Sequence, residues 1–306
     1  MKKAKFMKLS LFLLILIMIL TGCSNSVEED DGKMKVYTSF YPMYDFTYKI
    51  GGDKISVYNM VSTGIEPHDW EPTALDIVNL ENADMFVYNG AGMEYWVEEV
   101  LKNLENKELV VVEASEGINL LESEENHQDH DHGGYDSHVW TNPINAKIEM
   151  ENIKNALIQL DSDNKEYYEG NFEKYSQEFD KLNDEFITIL SDLPNKDIVV
   201  SHKAFSYMCD AYGLNQIAID GLSPDSEPNL GRMAEIIDFV NENNIRVIFF
   251  EELSSSKVVN TIANETNAVV DVLNPLEGLN DEEIQNGDDY FSVMRKNLEA
   301  LKRALQ

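Results

Sequence analysis

The chain has 306 residues, with 24 Lys+Arg against 56 Asp+Glu, for a formal net charge of −32 at pH 7. That balance excludes nucleic-acid binding, which needs a basic footprint. It suits an exported, soluble body that meets cations.

The first segment, "MKKAKFMK", carries four lysines and no acid, and "LSLFLLILIMIL" follows it. A charged start and a short apolar run have signal-peptide proportions and are too short for a comfortable membrane span. The run ends in "LTGC", where Cys23 resembles the lipobox cysteine of bacterial lipoproteins. The resemblance implies a signal peptide over 1–22, cleavage before Cys23 and lipid attached to it. Two or more acyl chains would hold the protein stably at the extracytoplasmic face of the cell membrane. Residues 23–33, ending "SNSVEEDDGK", read as a polar, flexible tether. Removing the leader's four lysines takes the net charge from −32 to −36. With Cys23 lipidated, Cys209 is the one thiol left, so no internal disulfide can form. In "AFSYMCDAY" it falls among the apolar positions of a helix, as a buried, inert side chain.

The body alternates strands and helices. "MKVYTSF" reads as a strand, and "PMYDFTYKIGG" as a helix opening on Pro42 and closing on glycine. "ISVYNMV" (55–61) is a strand leading into the loop that carries His68; Pro72 is expected to start the helix "TALDIVNLENA". "DMFVYNG" and "ELVVVEA" read as strands either side of the helix "MEYWVEEVLKNL". Asn142 is positioned to cap the helix that follows, with Pro143 in its first turn. From Tyr168, apolar residues recur at Phe172, Tyr175, Phe179, Leu182, Phe186 and Ile189. Steps of three and four predict one amphipathic helix of about 25 residues. The alternation then resumes: strands "DIVVS" (197–201), "NQIAID", "IRVIFF" (245–250) and "AVVDVL", separated and followed by helices. Apolar strands alternating with helices predict an α/β fold with parallel sheets covered on both faces. Two such blocks around one long helix predict an N-terminal lobe over 34–162, a linking helix over 163–193 and a C-terminal lobe over 194–306.

Six histidines punctuate this frame. His127, His130 and His132 crowd the acidic stretch "ENHQDHDHGGYD", a candidate auxiliary zinc trap. His68, His138 and His202 stand after predicted strands or before predicted helices. In open α/β sheets ligands bind where those loops gather, at the carboxyl ends of the strands. Three imidazoles arriving there from separate loops point to a metal site. The fourth ligand is expected from "AVVDVLNPLEGLN". Asp271 is inside the strand and Asn274 is a poor ligand for a borderline cation, which leaves Glu277. Three histidines and one carboxylate suit tetrahedral Zn2+.

"GIEPHDWEPT", "DSHVWTNP", "VVSHKAFSYMCDAYGL", "GLSPDSEPN", "VIFFEELSSSKVVNTIANET" and "VLNPLEGL" together resemble the zinc-binding lipoproteins of bacterial ABC importers. The likeness spans about residues 34–306 with every block in order. It implies two α/β lobes with the metal in the cleft between them. His68 and His138 would be the N-lobe ligands, His202 and Glu277 the C-lobe ones. An ABC permease would receive the zinc, from a monomeric, non-enzymatic binding protein. Members of the wider zinc and manganese family often have an aspartate where Asn274 stands, which moves the weight here to Glu277. Three alternatives are a manganese importer component, a zinc-dependent hydrolase and an adhesin. Manganese prefers oxygen donors, which argues against three imidazoles. A hydrolase needs an open fourth position, which Glu277 closes, and no HExxH pair is present. Nothing in the sequence encodes a receptor-binding face.

Overall fold

Short runs of valine, isoleucine and aromatic residues form eight parallel strands among the described residues, which are 32–123, 134–222, 228–251 and 257–306 of this computed structural model. The expected signal peptide, Cys23, the tether up to residue 31, and His127, His130 and His132 lie outside the described residues.

The first sheet contains β1 (Met34–Thr38), β2 (Ile55–Asn59), β3 (Met85–Tyr88) and β4 (Val110–Glu113), in the order β2-β1-β3-β4. The second contains β5 (Asp197–Val200), β6 (Asn215–Ala218), β7 (Val247–Phe250) and β8 (Val269–Val272), in the order β6-β5-β7-β8. The two orders are the same. In each, the chain moves outward to one side of the first strand and then crosses back to the other. That reversal opens a crevice at the carboxyl ends of the central strands, β1 with β3 and β5 with β7. The architecture is α/β: two lobes of helix-flanked parallel sheet, joined by a long helix, with the candidate metal cleft between them.

Ten α-helices are described. α1 (Tyr41–Gly51), α2 (Ala74–Glu81) and α3 (Val97–Asn103) serve the first sheet, and α4 (Pro143–Leu160) follows it. α5 (Lys165–Leu190) links the halves; α6 (Ser206–Tyr212), α7 (Leu230–Glu242), α8 (Lys257–Thr266), α9 (Asp281–Asn286) and α10 (Tyr290–Leu305) complete the second. Asn142 caps α4 as its sequence suggests, accepting the Ile144 N–H, with Pro143 in the first turn. α1 ends at Gly52 with φ +51°, a value that glycine adopts without penalty. Pro72 does not start the following helix. Thr73 does so, through a capping box with Asp76 that satisfies two backbone N–H groups.

α5 is 26 residues long and buries Tyr168, Phe179, Leu182, Phe186 and Leu190 along one stripe. That stripe packs on α1, α4 and α10, so elements of both halves share one apolar core. Phe46 of α1, Phe179 of α5 and Tyr290 of α10 meet at ring-centroid distances of 5.1–5.9 Å. Arg295 of α10 reaches Glu185 of α5 at 2.8 Å. Cys209 is buried in α6.

Candidate metal centre

Three loops and one turn bring the donors together. His68 stands in the loop between β2 and α2, and His202 comes two residues after β5. His138 precedes the turn into α4, and Glu277 lies in the loop after β8. All four expected residues meet. His68 Nε2 lies 3.2 Å from His138 Nε2 and 3.2 Å from Glu277 Oε1. His138 Nε2 is 3.1 Å from Glu277 Oε1, and His202 Nε2 is 3.3 Å from His138 Nε2 and 3.2 Å from Glu277 Oε1. Although none of the histidines sits on the core face of an element, all four residues are between 0% and 3% exposed. Convergence of the loops, not packing of a helix or strand, buries them.

Five of the six edges of this donor tetrahedron are therefore 3.1–3.3 Å long. A regular tetrahedron of that size has its centre about 2.0 Å from each corner, which is the Zn–N and Zn–O bond length. Hydrogen bonding cannot explain the arrangement, because three imidazole nitrogens all face one another and a single carboxylate oxygen. The donors fit a small divalent cation.

A second layer of carboxylates holds two of the rings. His138 Nδ1 lies 2.8 Å from Asp136 Oδ1, which also accepts the His138 backbone N–H at 2.9 Å. His202 Nδ1 pairs with Glu251, at the end of β7, and Ser201 donates its hydroxyl to the same carboxylate. An Nδ1–H donated to a carboxylate fixes the tautomer and leaves Nε2 free as a ligand. His68 differs: its Nδ1 has no hydrogen-bond partner among the described residues. Only its backbone N–H is held, by Glu66 at 3.1 Å.

The electrostatics follow this pattern. Burial alone would depress His202, but Glu251 and Glu277 raise it well above the ordinary histidine value. Burial likewise opposes, and Asp136 and Glu277 overcome it, at His138, which is also raised. At His68 burial prevails and lowers the pKa despite Glu277. Burial would raise Glu277, yet His202, His138 and His68 hold it well below the usual carboxylate range. Glu66 is pushed up to about 9 by burial and by the charge of Glu277.

Against known proteins, residues 36–304 match the family described as zinc-uptake complex component A, periplasmic (ZnuA). The chain belongs to this family. Membership in the ZnuA family makes it an extracytoplasmic component of an uptake complex and not an enzyme. It is 42% identical over 300 residues to the high-affinity zinc uptake system protein ZnuA of Bacillus subtilis, covering 94% of each chain. It is 40% identical over 310 residues to the zinc-binding lipoprotein AdcA of Streptococcus pneumoniae, covering 99% of this chain but 61% of that longer relative. The crystal structure of the Zn(II)-bound ZnuA-like domain of AdcA is similar with a TM-score of 0.79 and 39% identity, covering 90% of this chain and 99% of that one.

The sequence reading missed Asp136, Glu251 and Glu66. Asp136 stands two residues before His138 and Glu251 directly follows a strand at the binding edge, and these positions were the available signal. In a chain with 56 acidic residues that signal is faint.

Proposed function

We propose that this ZnuA-family protein captures Zn2+ outside the cytoplasm and delivers it to the ABC permease of a zinc importer. His68, His138, His202 and Glu277 are its four ligands, and zinc is its cargo. The observation that carries this reading is the 3.1–3.3 Å spacing of the four donor atoms, which suits a tetrahedral ion about 2.0 Å from each. Three nitrogens among four donors favour zinc over manganese, which prefers oxygen. Four protein ligands also leave no open position for an activated water, as a zinc hydrolase would require. Membership in the zinc-uptake component family supports the same cargo.

In this reading 34–162 and 194–306 are the two metal-holding lobes and 163–193 is their link. Residues 1–22 are removed, Cys23 carries the lipid, and 23–33 tether a monomer to the membrane. His127, His130 and His132 form a weaker, auxiliary zinc trap. The decisive test is native mass spectrometry of protein purified without chelator, beside His68→Ala. The parent should carry one tightly held zinc, and the variant should bind at least about 100-fold more weakly while remaining folded. A parent that carries no zinc, or a variant that binds as the parent does, would refute the assignment. Cys23→Ala should release the protein from the membrane without altering its zinc content.

A further inference from the structure

Trp140 is fully buried and lies two residues after His138. Its indole Nε1–H donates to the carbonyl of Pro275 at 2.7 Å, and Pro275 lies two residues before Glu277. A single hydrogen bond thus joins the chain beside one candidate ligand to the chain beside another, 135 residues away. From α10, the Tyr290 hydroxyl donates to the Trp140 carbonyl at 2.8 Å, and Phe40 packs edge-on against the indole at 4.9 Å. The ring has nowhere to swing.

The far end of this bond is a single peptide group. Its carbonyl, from Pro275, accepts from Trp140; its N–H, from Leu276, donates to the Asn274 side chain at 2.7 Å. Asn274 is fixed in turn. Its backbone N–H and C=O both pair with the Asn297 amide, at 2.9 and 2.7 Å, and its own amide donates to Glu283 at 2.9 Å. The residue after the clamped peptide is Leu276, buried and left-handed at φ +64°. A leucine holds that conformation only where its surroundings over-determine it. Here the peptide plane ahead of it is gripped from both edges, and the forced turn aims Glu277.

We propose that Trp140 is a positioning residue. By clamping the Pro275–Leu276 peptide it fixes the direction of Glu277 and couples that carboxylate to His138 across the cleft. Asn274, which is not a ligand, grips the other edge of the same peptide. The inference rests on the four-ligand reading above, and it assigns the zinc off-rate to a residue that does not touch the metal.

The test uses Trp140→Phe, which keeps an aromatic ring and removes the N–H. It is compared with the parent and with His138→Ala, all as the full body from residue 24 onward. Zinc dissociation into excess chelator should be about five- to tenfold faster in Trp140→Phe, as loss of one buried hydrogen bond implies. Association should be unchanged, and the visible absorption of the Co2+-loaded protein should shift as the Glu277 oxygen loosens. A melting temperature alone would report only packing. Parent-like dissociation with a parent-like Co2+ spectrum overturns the proposal, whatever the melting temperature does. If Trp140→Phe does not fold, Tyr290→Phe frees the Trp140 carbonyl at constant ring volume, and the same two readouts decide. If His138→Ala binds zinc as the parent does, the ligand reading itself falls. If His138→Ala loses zinc while Trp140→Phe is indistinguishable from the parent, the clamp alone falls.

Discussion

Zinc binding should expel more protons at neutral pH than three ordinary histidines hold. An unperturbed imidazole titrates near 6.5, so three of them carry about 0.7 proton in all at pH 7. The site departs from this in a defined direction. His202 is raised well above the ordinary value by Glu251 and Glu277 against the opposing effect of burial, so it holds more than the ordinary quarter of a proton. His138, raised by Asp136 and Glu277 against burial, holds more than the ordinary quarter. His68, lowered by burial, holds less than the ordinary quarter, and Glu277 is already ionised. Each imidazole must be neutral to bind metal, so more than about 0.7 proton should leave per zinc at pH 7. Any ionisation of Glu66 when the cation arrives adds to the count. Apparent affinity should then rise more than about fivefold per pH unit near neutrality. Titration calorimetry in buffers of different ionisation enthalpy gives the proton count directly. A count at or below about 0.7 would refute the reasoning, because it would mean that the carboxylates behind His138 and His202 leave their basicity unchanged.

Three further outcomes follow. Asp136→Asn removes the charge behind His138 Nδ1 and should weaken zinc binding by about 10- to 100-fold, measured by competition with a fluorescent chelator. His202→Glu replaces an imidazole by an oxygen donor and should shift the zinc-to-manganese preference toward manganese in a two-metal competition read by mass spectrometry. Metal-free protein should melt at a lower temperature at pH 8 than at pH 5.5. His202 and His138 are raised, so their contribution is complete below about 6.5 and lost as pH rises through their folded values, and together they outweigh the single lowered His68, which acts in the opposite direction. Glu149, raised by burial and the nearby Glu94, acts in the same direction from about 4.5 upward, since the unfolded chain gives up a proton that the fold retains. The zinc-induced rise in melting temperature should accordingly be larger at pH 8, and a flat profile by scanning fluorimetry would contradict these signs.

What could be read from the sequence was whatever depends on local pattern. The three-and-four spacing from Tyr168 to Ile189 corresponds to α5, and the apolar runs correspond to the strands. Three histidines near strand ends are conspicuous because the chain has only six. Long-range partners were hidden. Glu251 and Asp136 look like any other acid until the fold places them behind an imidazole, and the bond from Trp140 to Pro275 has no local signature. α3 illustrates a different failure. Its apolar pattern suggests a start near Met93, yet the helix begins at Val97. Gly90, Ala91 and Gly92 all have positive φ, and the Glu94 carboxylate turns back to accept the N–H groups of Asn89 and Gly90. A half-buried acid holding its own loop overrides helical periodicity. α9 was available and overlooked: Asn280 and Glu283 form a capping box closed by Gly287.

The division of the donors between the two halves is what suits this site to carriage. His68 and His138 come from the half that builds the first sheet, His202 and Glu277 from the half that builds the second. Neither pair alone offers a tetrahedral site, so the full set exists only while the halves are in contact. An enzyme that must retain its metal through each turnover is served better by ligands on one rigid element and an open position for water. In the proposed reading the reverse holds: coordination would be closed, every donor is buried, and the set draws on both halves. The local charge favours the same reading, because Asp136 and Glu251 back two of the imidazoles and would bring negative charge close to a cation without being among its four ligands. Protons compete for the same positions, since the carboxylates that raise His138 and His202 favour H+ as well as Zn2+. Under the proposed function, zinc capture and competition by protons would therefore come from the same two carboxylates.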